Sequence, residues 1–383
     1  MREHKQSSLL SETGKLQRHD HLCPIHKTHN EHEAAVIPFI QAGVCRKMKN
    51  SLLVFTALVT TIIATTITGC SIDTEPVYDE VTLQLKWVHQ AQFAGFYMAD
   101  EKDYYSQENI RVTFIEGGQD VDLAENLLTG KADFAVISPD ELLVKRSQGY
   151  PFDAIAAIYR RSAVVFLSKA DSGIVRPQDF VGRAIAATAT GGAAEFQMQL
   201  AAMMKKLQLD TNQVNMVPYD PDYNAFINGE VAVTPAYSTG GLIKLRQKGL
   251  ELNLIWPSDY AVRFYSDLLV TTEQLVTENP DLVTRFLRAT LKGWQDAIED
   301  YPQAVDITMK YAQIKDPQLQ TAMMEAMLPL VNTGEDKVGW MKSEMWQGMY
   351  DIMLDQGLLV EPFDVNLAYT LRFLEQAYGS KSN

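Results

Sequence analysis

The chain has 383 residues, 46% of them apolar and 21% charged, with 48 acids against 34 bases and three cysteines. That length and apolar fraction fit one large or two ordinary domains with an ample core, which excludes a small disulfide scaffold and a chain without a fold. A formal charge of −14 excludes nucleic acid as a partner, because phosphate binding needs a basic face.

The charge is unevenly spread. Eight of the bases and five of the acids lie in residues 1–69, which leaves residues 70–383 at a formal charge of −17. Six of the seven histidines and two of the three cysteines also precede residue 46. Residues 1–47 have mixed charge and no apolar periodicity, and read as a disordered leader or as sequence upstream of a true start at Met48. His19, His21, Cys23 and His26 match no zinc spacing, so no metal site is expected there. Arg46-Lys47-Met48-Lys49 then precedes an uncharged apolar stretch, 51–69, ending in Ile67-Thr68-Gly69-Cys70. A basic segment, an apolar segment and small residues before a cleavage point make a signal peptide over 48–69. The last four residues resemble the bacterial lipobox, which implies diacylation of Cys70 and anchoring to the extracytoplasmic face of a cell membrane without a spanning helix. An uncleaved signal anchor is the alternative, since about 18 apolar residues is near the lower limit of a span. With Cys70 lipidated, the mature chain has no free thiol and a single histidine, His89. Thiol catalysis and structural zinc are thereby excluded for it.

From residue 81 onward the periodicity predicts strands at 82–87, 110–115, 134–137, 153–158 and 164–167, with helices at 91–102 and 121–129 between the first three. The alternation resumes with strands at 184–187, 214–217, 231–235 and 252–255, and helices at 193–207, around Asn224 and near Leu245. Strands separated by helices of about ten residues imply right-handed crossovers and a mainly parallel sheet. After Pro280 only helical periods remain, at 281–300, 302–313, 318–327, 343–356 and 365–378. Asn279-Pro280-Asp281 gives the first of them a capping residue and a proline in its first turn. The pattern predicts an α/β protein of two lobes: residues 80–167 plus 265–383 form the first, and 168–264 form the second. Met323, Met324, Met327, Trp340 and Trp346 in the helical segment read as packing.

Several segments carry a family resemblance. Leu85-Lys86-Trp87-Val88-His89-Gln90-Ala91-Gln92-Phe93-Ala94-Gly95-Phe96-Tyr97, Glu116-Gly117-Gly118, Ser138-Pro139-Asp140-Glu141, Trp256-Pro257-Ser258-Asp259-Tyr260 and Glu278-Asn279-Pro280-Asp281 resemble the solute-binding lipoproteins of ABC importers related to thiamine-pyrimidine synthase. The resemblance spans nearly all of residues 80–378. It implies a type II periplasmic-binding-protein-like fold, in which two α/β lobes joined by two crossings close on a small molecule. At the carboxyl ends of strands and the starts of the following helices, unpaired N–H groups suit a polar ligand.

The strand ends supply the expected ligand-binding residues. Trp87 either stacks on a flat heterocycle or packs in the core, and Gln90 and Gln92 follow it with amides that read a ring edge. His89 has no second histidine to work with, and a plain hydrogen-bonding role is expected. Asp140 or Glu141 can accept from an exocyclic amine, while Ser138 either joins them or caps the helix. Gly117-Gly118 reads as a turn. In the second lobe, Gly191 and Gly192 open the helix that carries Glu195; this turn lacks the lysine of a Walker loop, so nucleotide hydrolysis is not indicated. Tyr237 ends a strand where many relatives have an Asn-Glu-Pro-like segment, here replaced by Ser238-Thr239-Gly240. Asp267, on the return crossing, faces the cleft or braces the hinge.

The resemblance implies a carrier for a thiamine pyrimidine precursor of the hydroxymethylpyrimidine type, with riboflavin as the alternative ligand. Permease and ATPase subunits are the expected partners, the carrier itself is expected to be a monomer, and no cofactor, metal or catalytic residue is expected. Alkanesulfonate or nitrate is less expected, because only Arg160, Arg161 and Arg263 offer positive charge near the strand ends. A sensor ectodomain would need a spanning helix and an output domain after the lobes. The remaining class is a pyrimidine synthase, which uses a pyridoxal phosphate lysine, a histidine one helical turn later and an iron-associated cysteine motif. Those positions fall at Ile137 and Glu141, and no cysteine follows Cys70, so the enzyme is disfavoured.

Overall fold

The computed structural model describes residues 77–190 and 193–379. The leader 1–47, the signal segment 48–69, Cys70 and the Gly191-Gly192 turn lie outside the described residues. Among the described residues, no helix is long and apolar enough to cross a membrane.

Strands β1 (Asp79–Gln84), β2 (Ile110–Ile115), β3 (Phe134–Ile137) and β4 (Phe152–Ala157) belong to a first sheet, and β5 (Val164–Lys169), β6 (Ala184–Thr188), β7 (Asn215–Pro218), β8 (Val233–Tyr237) and β9 (Leu252–Ile255) form a second. The chain then returns to the first with β10 (Leu268–Thr272). The orders are β2-β1-β3-β10-β4 and β7-β6-β8-β5-β9. In each sheet the strands at positions one to three run parallel, and the fourth is an antiparallel strand delivered by a crossing between the lobes. One topology is therefore used twice, with no matching repeat in the sequence.

The central strands β3 and β10 are covered on both faces. That is why Phe134-Ala135-Val136-Ile137 and Leu268-Leu269-Val270 read as apolar runs without alternation. The outermost strand β7 is mostly exposed and ends in Pro218, as suits a sheet edge. A correction concerns the lobe boundary. The sequence reading ended the first lobe at 167, but Val164–Lys169 pairs with β8 and β9, so the outward crossing is 158–163. Strand periodicity identifies an apolar strand; it does not say which sheet the strand joins.

The two crossings bond to each other. The N–H groups of Ile158 and Tyr159 donate to the Asp267 carbonyl, and Ser266 N–H donates to the Tyr159 carbonyl. Helices after residue 279 pack mainly on the first lobe. Asn279, Asp300 and Asp316 cap three of them with side-chain oxygens, each beside a proline in the first turn. Phe286 stacks on Phe134 with ring centroids 4.0 Å apart, and Met323, Met324, Met327 and Trp346 are buried. The continuous period predicted at 365–378 is broken. Tyr369 is extended, bridges Ala154 of β4 and stacks on Trp346 at 4.9 Å, so only Arg372–Tyr378 forms an α-helix after it.

Candidate functional site

The residue at the centre of the cleft is Lys86, part of the Leu85-Lys86-Trp87 motif but not one of the expected ligand-binding residues. Leu83 of β1 and Leu85 just after it are buried in the core, and Lys86 follows beyond the strand's carboxyl end, only 2% exposed. Its ammonium donates to Glu195 from the second lobe, to the Tyr237 hydroxyl at 2.5 Å and to Asp267 Oδ1 at 3.4 Å. The signal available was a lone base between a strand and Trp87, in a family whose ligand sits at strand ends. Gly117 is placed here by close approach: a Cβ at this position would lie 2.2 Å from the Leu85 carbonyl oxygen, so only glycine lets the β2 turn cross the end of β1.

Around Lys86 the predicted residues form one network. Gln90 donates to Gln92 at 2.8 Å, and Gln92 donates to Asp267 Oδ2 at 2.7 Å. The Tyr237 hydroxyl lies 2.5 Å from Glu195 Oε1 and 2.9 Å from Ser266 Oγ. Asp267 serves two functions, with its carbonyl in the hinge and its carboxylate in the cleft. Burial alone lowers the Lys86 ammonium, but Glu195 and Asp267 outweigh it and hold the group above its ordinary value. Burial pushes the Glu195 carboxyl up to about 7 against the pull of Lys86.

Ser138, Asp140 and Glu141 stand apart from this network. Ser138 occupies the cap position of the helix Pro139–Ser147 but makes no side-chain capping bond. Asp140 is fully buried and both of its carboxylate oxygens lack a partner, as does Glu141 Oε2. Burial raises the Asp140 carboxyl despite Lys86, and burial with the Asp140 charge pushes Glu141 up to about 8. His89 accepts or donates one bond with Tyr97 at 2.8 Å, while its backbone N–H donates to Glu116. Arg160 pairs with Asp336 at 2.6 Å and Arg161 with Glu335 at 3.3 Å, both acids on the segment after the helix Pro317–Val331.

Between the lobes lies a cavity of about 320 Å³. Trp87 forms its wall on the first lobe; Phe196, Tyr219, Tyr223 and Tyr237 form the wall on the second. The rings are set edge to face, Phe196 on Tyr219 at 5.0 Å and Tyr219 on Tyr223 at 5.9 Å, a geometry that holds them rigidly. Tyr223 has φ 62°, a left-handed conformation that strains any residue with a Cβ. Asp220 holds it there, its carboxylate accepting from the N–H groups of Asp222, Asn224 and Ala225. A second cavity, about 440 Å³, is lined by Glu141, Asp120 and Asp122 and by Ala194 and Met198. One turn of the helix Glu195–Lys206 separates the two, since Phe196 faces the first and Met198 the second. Among the described residues, no group of three His, Cys, Asp or Glu is placed to hold a metal ion.

With this geometry in view, comparison with known proteins gives a consistent result. The family described as NMT1/THI5 like matches residues 90–304, more than half of the chain. The chain belongs to the NMT1/THI5-like family. It is 27% identical over 312 residues to a riboflavin-binding protein, RibY, of Chloroflexus aurantiacus, covering 78% of this chain and 87% of that one. It is 23% identical to a formylaminopyrimidine-binding protein of Halalkalibacterium halodurans, covering 82% and 98%. A 4-amino-5-hydroxymethyl-2-methylpyrimidine phosphate synthase of Legionella pneumophila is 25% identical, covering 77% and 92%. Among solved structures, the alkanesulfonate-binding protein SsuA of Xanthomonas axonopodis pv. citri superposes with a TM-score of 0.61 at 14% identity, covering 77% and 99%. That likeness establishes the periplasmic-binding-protein fold of this NMT1/THI5-like chain.

Proposed function

We propose that this protein is the extracytoplasmic solute-binding lipoprotein of an ABC importer, and that it captures a flat heterocycle of the flavin type between its lobes. The observation that carries the reading is the aromatic cavity, in which Trp87 of one lobe opposes Tyr219, Tyr223 and Tyr237 of the other. Two lobes joined by a bonded pair of crossings can close over a ring and offer a permease one shape when loaded. The ligand named for the Chloroflexus relative supports riboflavin as the first candidate. Permease and ATPase subunits are the partners this role requires, with a lipid on Cys70 as anchor and a monomeric carrier.

A thiamine pyrimidine precursor is the second reading. It is favoured by the orphan oxygens of Asp140 and Glu141, which suit an exocyclic amine, and by the ligand named for the Halalkalibacterium relative. It ranks second because neither carboxylate lines the aromatic cavity.

The synthase reading is poorly supported by the residues present. Ile137 offers no amine, and Lys86, the lysine buried in the cleft, is held as an ammonium by two carboxylates, whereas an aldimine needs the free base. These residues do not fit a covalently held pyridoxal phosphate. Fluorescence titration of the mature chain with riboflavin, alongside calorimetry with 4-amino-5-hydroxymethyl-2-methylpyrimidine, tests the reading. Quenching of the flavin with no turnover is expected, and no response to either compound would sink it.

A further inference from the structure

One charged group on the wall of the aromatic cavity has no role in the Lys86 network. Lys244 lies on the helix Gly241–Gln247, which follows β8 and faces Tyr223. The approach is very close: a Cβ at Gly241 would lie 1.9 Å from the Tyr223 hydroxyl oxygen, so glycine there brings the helix, and Lys244 with it, against the ring wall. Lys244 lines the cavity and is half-buried. Unlike Lys86, its ammonium makes no ion pair and no hydrogen bond with any described residue; Asp222, on the same wall, acts on it only at a distance. Desolvation makes this ammonium easier to deprotonate, which is the signature of a cation short of partners.

The neighbouring hydroxyls point the same way. Tyr219 and Tyr223 share one hydrogen bond of 3.0 Å, which uses one of their two hydrogens and leaves the other free to donate. The Tyr237 hydroxyl, by contrast, is committed to Lys86, Glu195 and Ser266. Among the side chains of the second-lobe wall, the uncommitted polar hydrogens are therefore those of Lys244 and of one tyrosine. Glu195 and Asp267 are tied to Lys86, and Asp140 and Glu141 lie off the cavity, while Asp222 shares the wall with Lys244 without pairing with it.

From this arrangement we infer that Lys244 is the specificity-determining residue of the cleft, donating to the oxo edge of a pyrimidinedione ring stacked between Trp87 and the tyrosines. The inference rests on the flavin reading above and deepens it. A ring edge of carbonyl oxygens satisfies the lysine fully; an aminopyrimidine offers it only ring nitrogens beside an amine that donates, and is held less tightly.

The test compares the mature wild-type chain with Lys244→Met and Lys244→Arg, titrated with three probes: riboflavin, lumichrome and 4-amino-5-hydroxymethyl-2-methylpyrimidine. Lumichrome keeps the dione ring and lacks the ribityl chain. Lys244→Met is expected to weaken riboflavin and lumichrome alike by tenfold or more, Lys244→Arg to retain most of the affinity, and all three chains to melt together. If Lys244→Met lowers the melting temperature, Lys244→Gln, which keeps a donor of similar reach, takes its place and is expected to recover part of the affinity. Unchanged flavin affinity in Lys244→Met overturns the inference and leaves the carrier reading standing. Loss for riboflavin but not lumichrome overturns it too, because the lysine then contacts the chain and not the ring. Tight wild-type binding of the aminopyrimidine with no flavin binding overturns both the flavin reading and the role of Lys244, and silence toward all three probes does the same.

Discussion

The Lys86 ammonium at the end of β1 donates to the Glu195 carboxylate on the first helical turn of the opposite lobe, so one buried ion pair joins the two walls of the cleft. Both side chains are nearly inaccessible. A buried pair adds little over a well-packed apolar substitute, but removal of one partner strands the other. Lys86→Met is therefore expected to cost about 3–5 kcal/mol, because Glu195 and Asp267 lose their cation in a desolvated site. The double variant Lys86→Met with Glu195→Leu is expected to recover part of that loss. Urea denaturation of the two variants and the wild type measures both effects; a single variant as stable as the parent would show that the pair does not hold the lobes.

Trp87 is only partly buried and gives the first lobe its aromatic surface in the cavity. Stacking of an aromatic side chain on a heterocycle contributes about 1–3 kcal/mol, which corresponds to roughly fivefold to 150-fold in affinity. Trp87→Ala is expected to weaken flavin binding within that range while leaving the melting temperature nearly unchanged. Equal affinity in variant and parent would move the ring away from this wall.

Much of this architecture is legible in the sequence. Strands β3 and β9 and the helix after Asn279 are given by apolar runs, turn residues and a proline in the first turn, because those signals are local. Pairing across sheets is not local, which is why 164–167 read as part of the first lobe although the strand Val164–Lys169 belongs to the second sheet. The site divides in the same way. Trp87, Gln90, Gln92, Glu195, Tyr237 and Asp267 are recognisable as strand-end residues, and the structure gathers them around one lysine. Lys86 itself was hidden because a lysine after a strand is normally a solvated side chain, and only the convergence of two lobes makes it a buried one. Tyr219 and Lys244 carry no local signal at all, since their importance depends on a left-handed residue at 223 and a glycine at 241.

The carboxyl of Glu141 gives the protein an unusual dependence on pH. Burial and the Asp140 charge raise it to about 8 from an ordinary value of 4.5. The folded state thus binds this proton more tightly than the unfolded chain does. Its contribution is fully present below about 4.5 and is lost as pH rises through about 8, and Glu195, raised to about 7, acts in the same direction. Melting temperature is expected to fall between pH 5 and 8.5. Glu141→Gln, which cannot ionise, is expected to match the parent at the acid end and exceed it by a few degrees at the alkaline end. Parallel melting curves across that range would show that Glu141 does not ionise in a desolvated place.

Cys70 carries the anchoring expectation alone, as the last residue of Ile67-Thr68-Gly69-Cys70. Lipidation adds about 0.8 kcal/mol for each buried methylene, enough to hold a protein at a membrane when two chains are present. Expressed in a bacterium with labelled fatty acid, the wild-type chain is expected to take up label and to partition into detergent. Cys70→Ser is expected to do neither and to bind its ligand unchanged. Label retained in the variant would place the acyl group elsewhere.

Gly241 sets the distance between the Lys244 helix and the ring wall. A Cβ there would stand 1.9 Å from the Tyr223 hydroxyl oxygen and 2.9 Å from Ala236 Cβ, so even alanine has no room unless something moves. Tyr223 cannot yield cheaply, because its left-handed backbone is fixed by Asp220 and its hydroxyl by Tyr219. The helix must therefore shift outward, carrying Lys244 away from the cavity. Gly241→Ala is expected to lower flavin affinity by about as much as Lys244→Met, to cost roughly 1–3 kcal/mol of stability through overpacking, and to alter the near-ultraviolet tyrosine signal. The combined Gly241→Ala, Lys244→Met variant is then expected to bind little worse than either alone, since both remove one contact. Fully additive losses in the double variant would mean that the glycine acts on the ligand through the tyrosines and not through the lysine.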